Sequence, residues 1–80
     1  MPLRALLFAS YADAVGAPEV EVDLPDGSTV REVVDAIRSR HGADRLPPAP
    51  LVAVNQRYAS AETRVSARDE VAIIPPVAGG

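Results

Sequence analysis

The feature that most constrains this chain is an apolar run followed at once by two prolines and a short tail. The run covers residues 71–74, and the tail reads Pro75, Pro76, Val77, Ala78, Gly79 and Gly80. Proline fixes φ and lacks a backbone N–H, so a strand at 71–74 must leave its sheet in extended form. Five extended residues reach about 17 Å, and two glycines can enter a narrow channel. We therefore expect a domain over residues 1–75 and, over residues 76–80, an arm that delivers a terminal carboxylate to another protein.

Length and composition indicate one small domain that depends on its apolar core. The chain has 80 residues, is 48% hydrophobic and has no cysteine, so disulfides and thiolate chemistry are not expected. With His41 as the single histidine, a zinc site is not expected either. No apolar run approaches the roughly 20 residues that span a bilayer. We expect a cytoplasmic protein without a membrane partner.

The charged residues argue against a nucleic-acid partner. The net charge is −3, and the eight basic residues are spread along the chain, whereas nucleic-acid binding needs a concentrated basic patch. All eight are arginines, so no side chain of this protein can accept an isopeptide bond. The chain therefore cannot build polymers of itself through lysine.

Apolar runs and alternation predict several extended segments. They are residues 3–8, 19–24, 51–54, 57–58, 62–65 and 71–74. The first is apolar enough to be buried on both faces or nearly so. Residues 19–24 alternate charged and apolar side chains, as an edge strand does, with Val20, Val22 and Leu24 facing inward. Residues 10–16 could form one helical turn or a wide loop.

The sequence predicts a helix over residues 29–41. Thr29 and Glu32 have the spacing of a capping box, and Arg31 and Asp35 have that of an exposed ion pair. One apolar stripe is formed by Val30, Val33, Val34 and Ile37. Valine is a mediocre helix former, so this helix must be held by packing on a sheet. The element order predicts an α+β fold: one mixed sheet of four to five strands with one main helix packed across one face.

This pattern resembles the ubiquitin-like β-grasp family and, more narrowly, the small subunit of molybdopterin synthase, the sulfur-carrier protein of molybdenum cofactor biosynthesis. The resemblance is carried by DEVAIIPPVAGG at residues 69–80, VAVNQ at 52–56, LFA at 7–9 and the helix start at 29–30. The two prolines make it specific, because thiamine sulfur carriers also end in Gly-Gly but usually lack them. The sequence departs from the family at Ile73 and Ile74, where phenylalanine is common, and at residues 10–12, where charge is common.

The resemblance implies a sulfur carrier. A ubiquitin-activating-type adenylyltransferase would adenylate Gly80 with ATP, and a sulfurtransferase would supply the sulfur that makes it a thiocarboxylate. The large subunit of molybdopterin synthase would take up the loaded tail and pass its sulfur to cyclic pyranopterin monophosphate, building the dithiolene of molybdopterin. Family members assemble as two large and two small subunits. No cofactor would be bound by this chain, and no residue resembles a general acid, base or phosphate cradle, so its status as an enzyme stays open.

The resemblance also implies the site residues. Beside the reacting Gly80, the expected partner-binding residues are Gly79, Ala78, Val77, Pro76, Pro75, Phe8 and Ile74. Two alternatives stay open. One is a sulfur carrier for thiamine, cysteine or tRNA thiolation, or a ubiquitin-like protein modifier. The other is a plain β-grasp binding domain with an inert tail. A triad of Ser10, Asp13 and His41 is not favoured, because His41 falls in the last helical turn, where a cation suits the dipole.

Overall fold

A computed structural model describes residues 1–42 and 46–76 and shows a single mixed sheet with two helices. The elements are β1 (Pro2–Leu7), α1 (Ala9–Val15), β2 (Glu19–Asp23), α2 (Val30–His41), β3 (Leu51–Val54), β4 (Arg57–Ala59) and β5 (Val71–Ile74). The five strands lie in the order β2-β1-β5-β3-β4. The β1–β5 pair is parallel and the other pairs are antiparallel. The predicted α+β fold is confirmed, with five strands and a second, shorter helix.

One face of the sheet carries the core and the other, which we call the open face, does not. The core-facing strand residues include Leu3, Ala5, Leu7, Val20, Val22, Val52, Val71 and Ile73. The edge-strand prediction for β2 is confirmed, because its valines are buried and its acidic residues exposed. The expectation that residues 3–8 are buried on both faces or nearly so is wrong, since Arg4 and Phe8 are exposed. Helix α2 covers one face only, so β1 alternates between core and open face.

Helix α2 is held by the features its sequence predicts. The apolar stripe Val30, Val33, Val34 and Ile37 is buried. The capping box is complete: the Glu32 backbone N–H donates to Thr29 Oγ1 over 3.3 Å, and the Thr29 N–H donates to Glu32 Oε1 over 2.9 Å. The helix is therefore fixed at its start by its cap and along its length by core packing.

The loop between β4 and β5 closes the start of α2. The Val30 N–H donates to the Thr63 carbonyl over 2.9 Å, and the Arg31 N–H donates to the Ala61 carbonyl over 3.0 Å. The Arg31 guanidinium lies 3.3 Å from the carboxylate of Glu62. The expected Arg31–Asp35 pair is thus replaced by a tertiary one, because this loop lies against the first turn of the helix.

Two smaller predictions change. In place of one turn or a wide loop at residues 10–16, the chain forms a helix of seven residues, Ala9–Val15. Gly16 follows as its C-cap, with a φ of 91°. Residues 62–65 do not form a strand; Arg64 makes an isolated bridge with Thr29. Backbone groups of this segment that a neighbouring strand would have paired are instead bonded to residues at the start of α2.

Candidate functional site

The candidate site is the end of the sheet where the chain leaves β5. Beyond Ile74, Pro75 is half-buried and Pro76 is exposed. Strand β5 runs parallel to β1 and antiparallel to β3, so the exit lies beside the end of β1 and the start of β3. The predicted tail residues Val77, Ala78, Gly79 and Gly80 lie outside the described residues, and their roles stay predictions.

Phe8 and Ile74 lie at this same end of the sheet. Leu7 pairs with Ile73 in the β1–β5 ladder, and each of the two predicted residues follows one position later. Phe8 keeps extended backbone, with φ −121° and ψ 150°, so its side chain alternates onto the open face. Phe8 is 47% exposed and Ile74 is half-buried. The structure therefore brings together the two described apolar residues that the sequence singled out, while their contact with a partner remains a prediction.

Two further apolar residues of the open face, Leu51 and Tyr58, were not predicted from the sequence. Leu51 pairs directly with Ile74, and Tyr58 pairs with Ala53. They are 44% and 75% exposed, and with Phe8 they are the large exposed hydrophobic residues of the described chain. The signal was present in the two-residue turn after β3, which fixes the register that sets Tyr58 opposite Ala53. We call Phe8, Leu51, Tyr58 and Ile74 the exit patch.

The two isoleucines that depart from the family pattern have different surroundings. Ile73 is fully buried and lies opposite Leu7 and Val52. Ile74 faces the open side. Of the two, Ile74 is therefore the one available to a partner.

A polar clamp holds the β3–β4 turn to the segment that enters β5. Asn55, at φ 53°, donates from Nδ2 to Asp69 Oδ1 over 2.9 Å. Its Oδ1 accepts from the Glu70 N–H, also over 2.9 Å. The Asn55 side chain and the Ser66 backbone N–H both donate to the Asp69 carboxylate, and these bonds hold the pKa of that carboxyl below its usual value. The clamp fixes where the final strand begins.

The open face is charged at its β2 side. Arg4 lies 3.5 Å from the Glu19 carboxylate and pairs across the strands with Glu21. A shallow cleft of about 520 Å³ continues from there past Leu6 to Glu70. The open face thus has an apolar half beside the chain exit and a mostly acidic half beside β2.

The described residues contain no grouped metal ligands, and the first N–H groups of α2 are already bonded. Within residues 1–42 and 46–76, no three histidine, aspartate or glutamate side chains are grouped so as to hold a metal. The first N–H groups of α2 are bonded to Thr63, Ala61 and Thr29, which leaves none of the three for an anion. Neither helix of the described chain is long and apolar enough to cross a bilayer.

The mixed sheet with α2 across one face defines a ubiquitin-like β-grasp domain, and solved structures agree. The crystal structure of SAMP1 from Haloferax volcanii matches with a TM-score of 0.84 and 31% identity over all of both chains. A chain of the complex of subunits 1 and 2 of molybdopterin-converting factor from Helicobacter pylori matches with a TM-score of 0.69 over all of both chains. At 16% identity, that second likeness concerns the fold alone.

Sequence comparison gives the family. The ThiS family model matches residues 5–80. The molybdopterin synthase sulfur carrier subunit of Arabidopsis thaliana is 32% identical over 79 residues, which cover 98% of this chain and 82% of that protein. The subunit of the same description from Escherichia coli K12 is 35% identical over 80 residues, covering 98% and 99%. The chain therefore belongs to the ThiS family and, over nearly its whole length, is similar to molybdopterin synthase sulfur carrier subunits.

Proposed function

We propose that this chain is the sulfur carrier of a molybdopterin synthase. The structural observation that supports this is the chain exit: a central strand ends in Pro75 and Pro76 directly beside the exposed side chains of Phe8 and Leu51. Such an arrangement can dock on a partner while the following residues extend away from the sheet. The near full-length similarity to named carrier subunits supports sulfur transfer as the chemistry of the tail.

The reacting group would be the carboxylate of Gly80. A free terminal carboxylate has a pKa of about 3.3–3.7, so at neutral pH it is ionised and a poor acyl donor. Attack of this carboxylate on the α-phosphorus of ATP, in an activating enzyme, would release pyrophosphate and leave an acyl-adenylate. A persulfide on a sulfurtransferase would then displace AMP to form an acyl disulfide. Attack of a thiol on the donor sulfur of that S–S bond would release the thiocarboxylate and leave the donor in a new disulfide with the thiol.

The loaded tail would act inside a large partner subunit. There the thiocarboxylate sulfur would attack cyclic pyranopterin monophosphate and form a thioester between carrier and pterin. Hydrolysis of this thioester would leave the sulfur on the pterin and return the Gly80 carboxylate, so two loaded carriers would be consumed for each dithiolene. The large subunit would supply the acid–base groups, since this chain offers none that we could identify in its sequence. We expect two large and two small subunits per assembly, in the cytoplasm.

The exit patch would be the docking surface. Aromatic residues such as Phe8 and Tyr58 are enriched in interface cores, and the acidic side of the open face suits a basic rim on the partner. Because Phe8 and Ile74 flank the chain exit, docking there would aim the tail at the partner. The folded domain would then hold the tail, residues 76–80, in a fixed position relative to the partner.

A second candidate function is that of a ubiquitin-like protein modifier. The likeness to SAMP1, a small archaeal modifier protein from Haloferax volcanii, favours it. In that case the activated Gly80 would pass to an amine of another protein. Lysine-linked adducts in cells would identify this function, whereas restoration of molybdopterin synthesis would identify the first.

Truncation of the tail tests the proposal. Deletion of Gly79 and Gly80, or Gly79→Val, should abolish sulfur transfer while the exit patch still binds the large subunit. Ala78→Ser is the matched control, because it changes the tail but keeps both glycines, and it should retain transfer. Normal product formation by a folded Gly79→Val protein would contradict the carrier function. If the wild-type protein transfers no sulfur to the pterin but delivers sulfur to a thiamine, cysteine or tRNA pathway, it is a sulfur carrier for that other pathway.

A further inference from the structure

In the part of the chain that the structure describes, the sheet has two edge strands, β2 and β4, whose outer backbone groups pair with no neighbouring strand. Exposed edges are templates for pairing with another chain, and folded proteins shorten, charge or cover them. Strand β4 has three residues and is protected by its shortness. Strand β2 has five residues and needs another form of protection.

The outward backbone groups of β2 can be assigned from its hydrogen bonds to β1. In an antiparallel pair, alternate residues exchange bonds with the partner strand. The Leu24 N–H donates to the Met1 carbonyl over 3.0 Å. By the register of the pair, the backbone N–H and C=O groups of the even-numbered residues of β2 therefore point toward β1. The residues whose N–H and C=O groups point away from the sheet are Glu19, Glu21 and Asp23.

The middle one of these carbonyls is occupied by a side chain from α2. Arg40, in the last turn of the helix, donates from Nη1 to the Glu21 carbonyl over 3.1 Å. A strand that paired along this edge would need that carbonyl as an acceptor and would have to displace the guanidinium. The arginine therefore covers the edge at its centre.

The side chains of the edge add a second obstacle against a copy of the same chain. Glu19, Glu21 and Asp23 are all exposed. When two β2 strands pair edge to edge, these carboxylates come to lie on neighbouring strands, and like charges in that position are destabilising. The backbone is thus blocked by Arg40 and the pairing is opposed by charge.

We propose that Arg40 closes the outer edge of β2 and prevents this chain from pairing through that edge with a second copy of itself. Self-association through the edge of β2 is then prevented. This inference does not depend on whether the chain carries sulfur. Arg40 acts here as a cover on the backbone, a role that depends on its hydrogen bond and its reach.

The test compares the oligomeric state of three variants with the wild type by sedimentation equilibrium over a wide concentration range. Arg40→Met keeps the length of the side chain but loses the donor, and we expect it to raise the self-association constant about threefold to tenfold. Arg40→Lys keeps a donor and should lie near the wild type. Arg31→Met removes another exposed arginine of the same helix, at the end opposite Arg40, and should change nothing. An Arg40→Met protein that associates no more than the wild type would overturn the proposal, as would equal association of Arg31→Met.

Amide hydrogen exchange locates the contact and separates it from a loss of folding. In associated Arg40→Met protein, the amides of Glu19, Glu21 and Asp23 should exchange more slowly as concentration rises. Slowing at Tyr58 on β4 instead, with β2 unchanged, would show that the other edge pairs and would refute the assignment. Circular dichroism of the same samples establishes that the fold is intact.

Discussion

Ile73 and Ile74 are adjacent in β5 and face opposite sides of the sheet. Ile73 is fully buried among the core residues, and Ile74 is half-buried on the open face, paired with Leu51. One residue therefore serves the fold and its neighbour borders the exit of the chain. This separation allows stability and partner binding to be changed independently.

We expect Ile73→Ala to lower the free energy of unfolding by about 2–5 kcal/mol, because it opens a cavity in a closed core. Ile74→Ala should cost less, since part of this side chain already contacts water, and should instead weaken binding to the large subunit. Urea unfolding and calorimetric titration measure the two effects. Equal destabilisation by both substitutions would contradict the assignment of faces.

Tyr58 should contribute to partner binding without contributing to stability. It is the most exposed large hydrophobic residue of the described chain, at 75%. Truncation of a hot-spot aromatic residue in an interface costs about 2 kcal/mol or more, so Tyr58→Ser should weaken binding to the large subunit by about thirtyfold or more. Tyr58→Phe keeps the ring and serves as the control. Unchanged affinity for Tyr58→Ser would remove Tyr58 from the docking surface.

The capping box of α2 should have a measurable effect on stability. Thr29→Ala removes the acceptor for the Glu32 N–H and should lower the free energy of unfolding by about 0.5–2 kcal/mol. Ser39→Ala, at an exposed position in the same helix, is the comparison and should be close to neutral. A chemical denaturation curve for each variant gives the values. If both variants unfold like the wild type, the cap is not contributing.

The clamp between Asn55 and Asp69 predicts a pH dependence. Hydrogen bonds from Asn55 and Ser66 hold the pKa of Asp69 below its usual value. Such a carboxyl stabilises the fold above its unfolded pKa of about 3.9, and this contribution is lost as pH falls through the lower, folded pKa. The stability difference between wild type and Asp69→Asn should therefore be largest above about pH 5 and shrink in more acidic solution. Denaturation at a series of pH values measures it, and a difference that does not vary with pH would contradict the clamp.

The elements of this fold could be predicted because their signals are local. The capping box at Thr29, the stripe of α2 and the alternation in β2 each lie within a few turns or a single strand. Long-range contacts could not be read in the same way. Arg31 pairs with Glu62, not Asp35, because a distant loop lies against the helix start. The one-sided burial of β1 likewise follows from which face α2 covers.

The candidate site was predicted only in part for the same reason. Phe8 and Ile74 were found from the resemblance to a known family. Leu51 becomes a neighbour of the exit only through the register of β3 with β5, and Tyr58 joins the same face, opposite Ala53, only through the register of β4 with β3. Periodicity shows which residues share a face, but the sheet order decides which of them meet.

The most direct test of the central claim is the intact mass of the protein after incubation with ATP, the candidate activating enzyme and a sulfur donor. We predict a mass increase that corresponds to replacement of one oxygen by sulfur, and fragmentation should assign it to Gly80. The Gly79→Val protein and a reaction without ATP are the controls. If folded wild-type protein gains no such mass from an activator that loads a known carrier, this chain is not a sulfur carrier and the tail has no role in transfer.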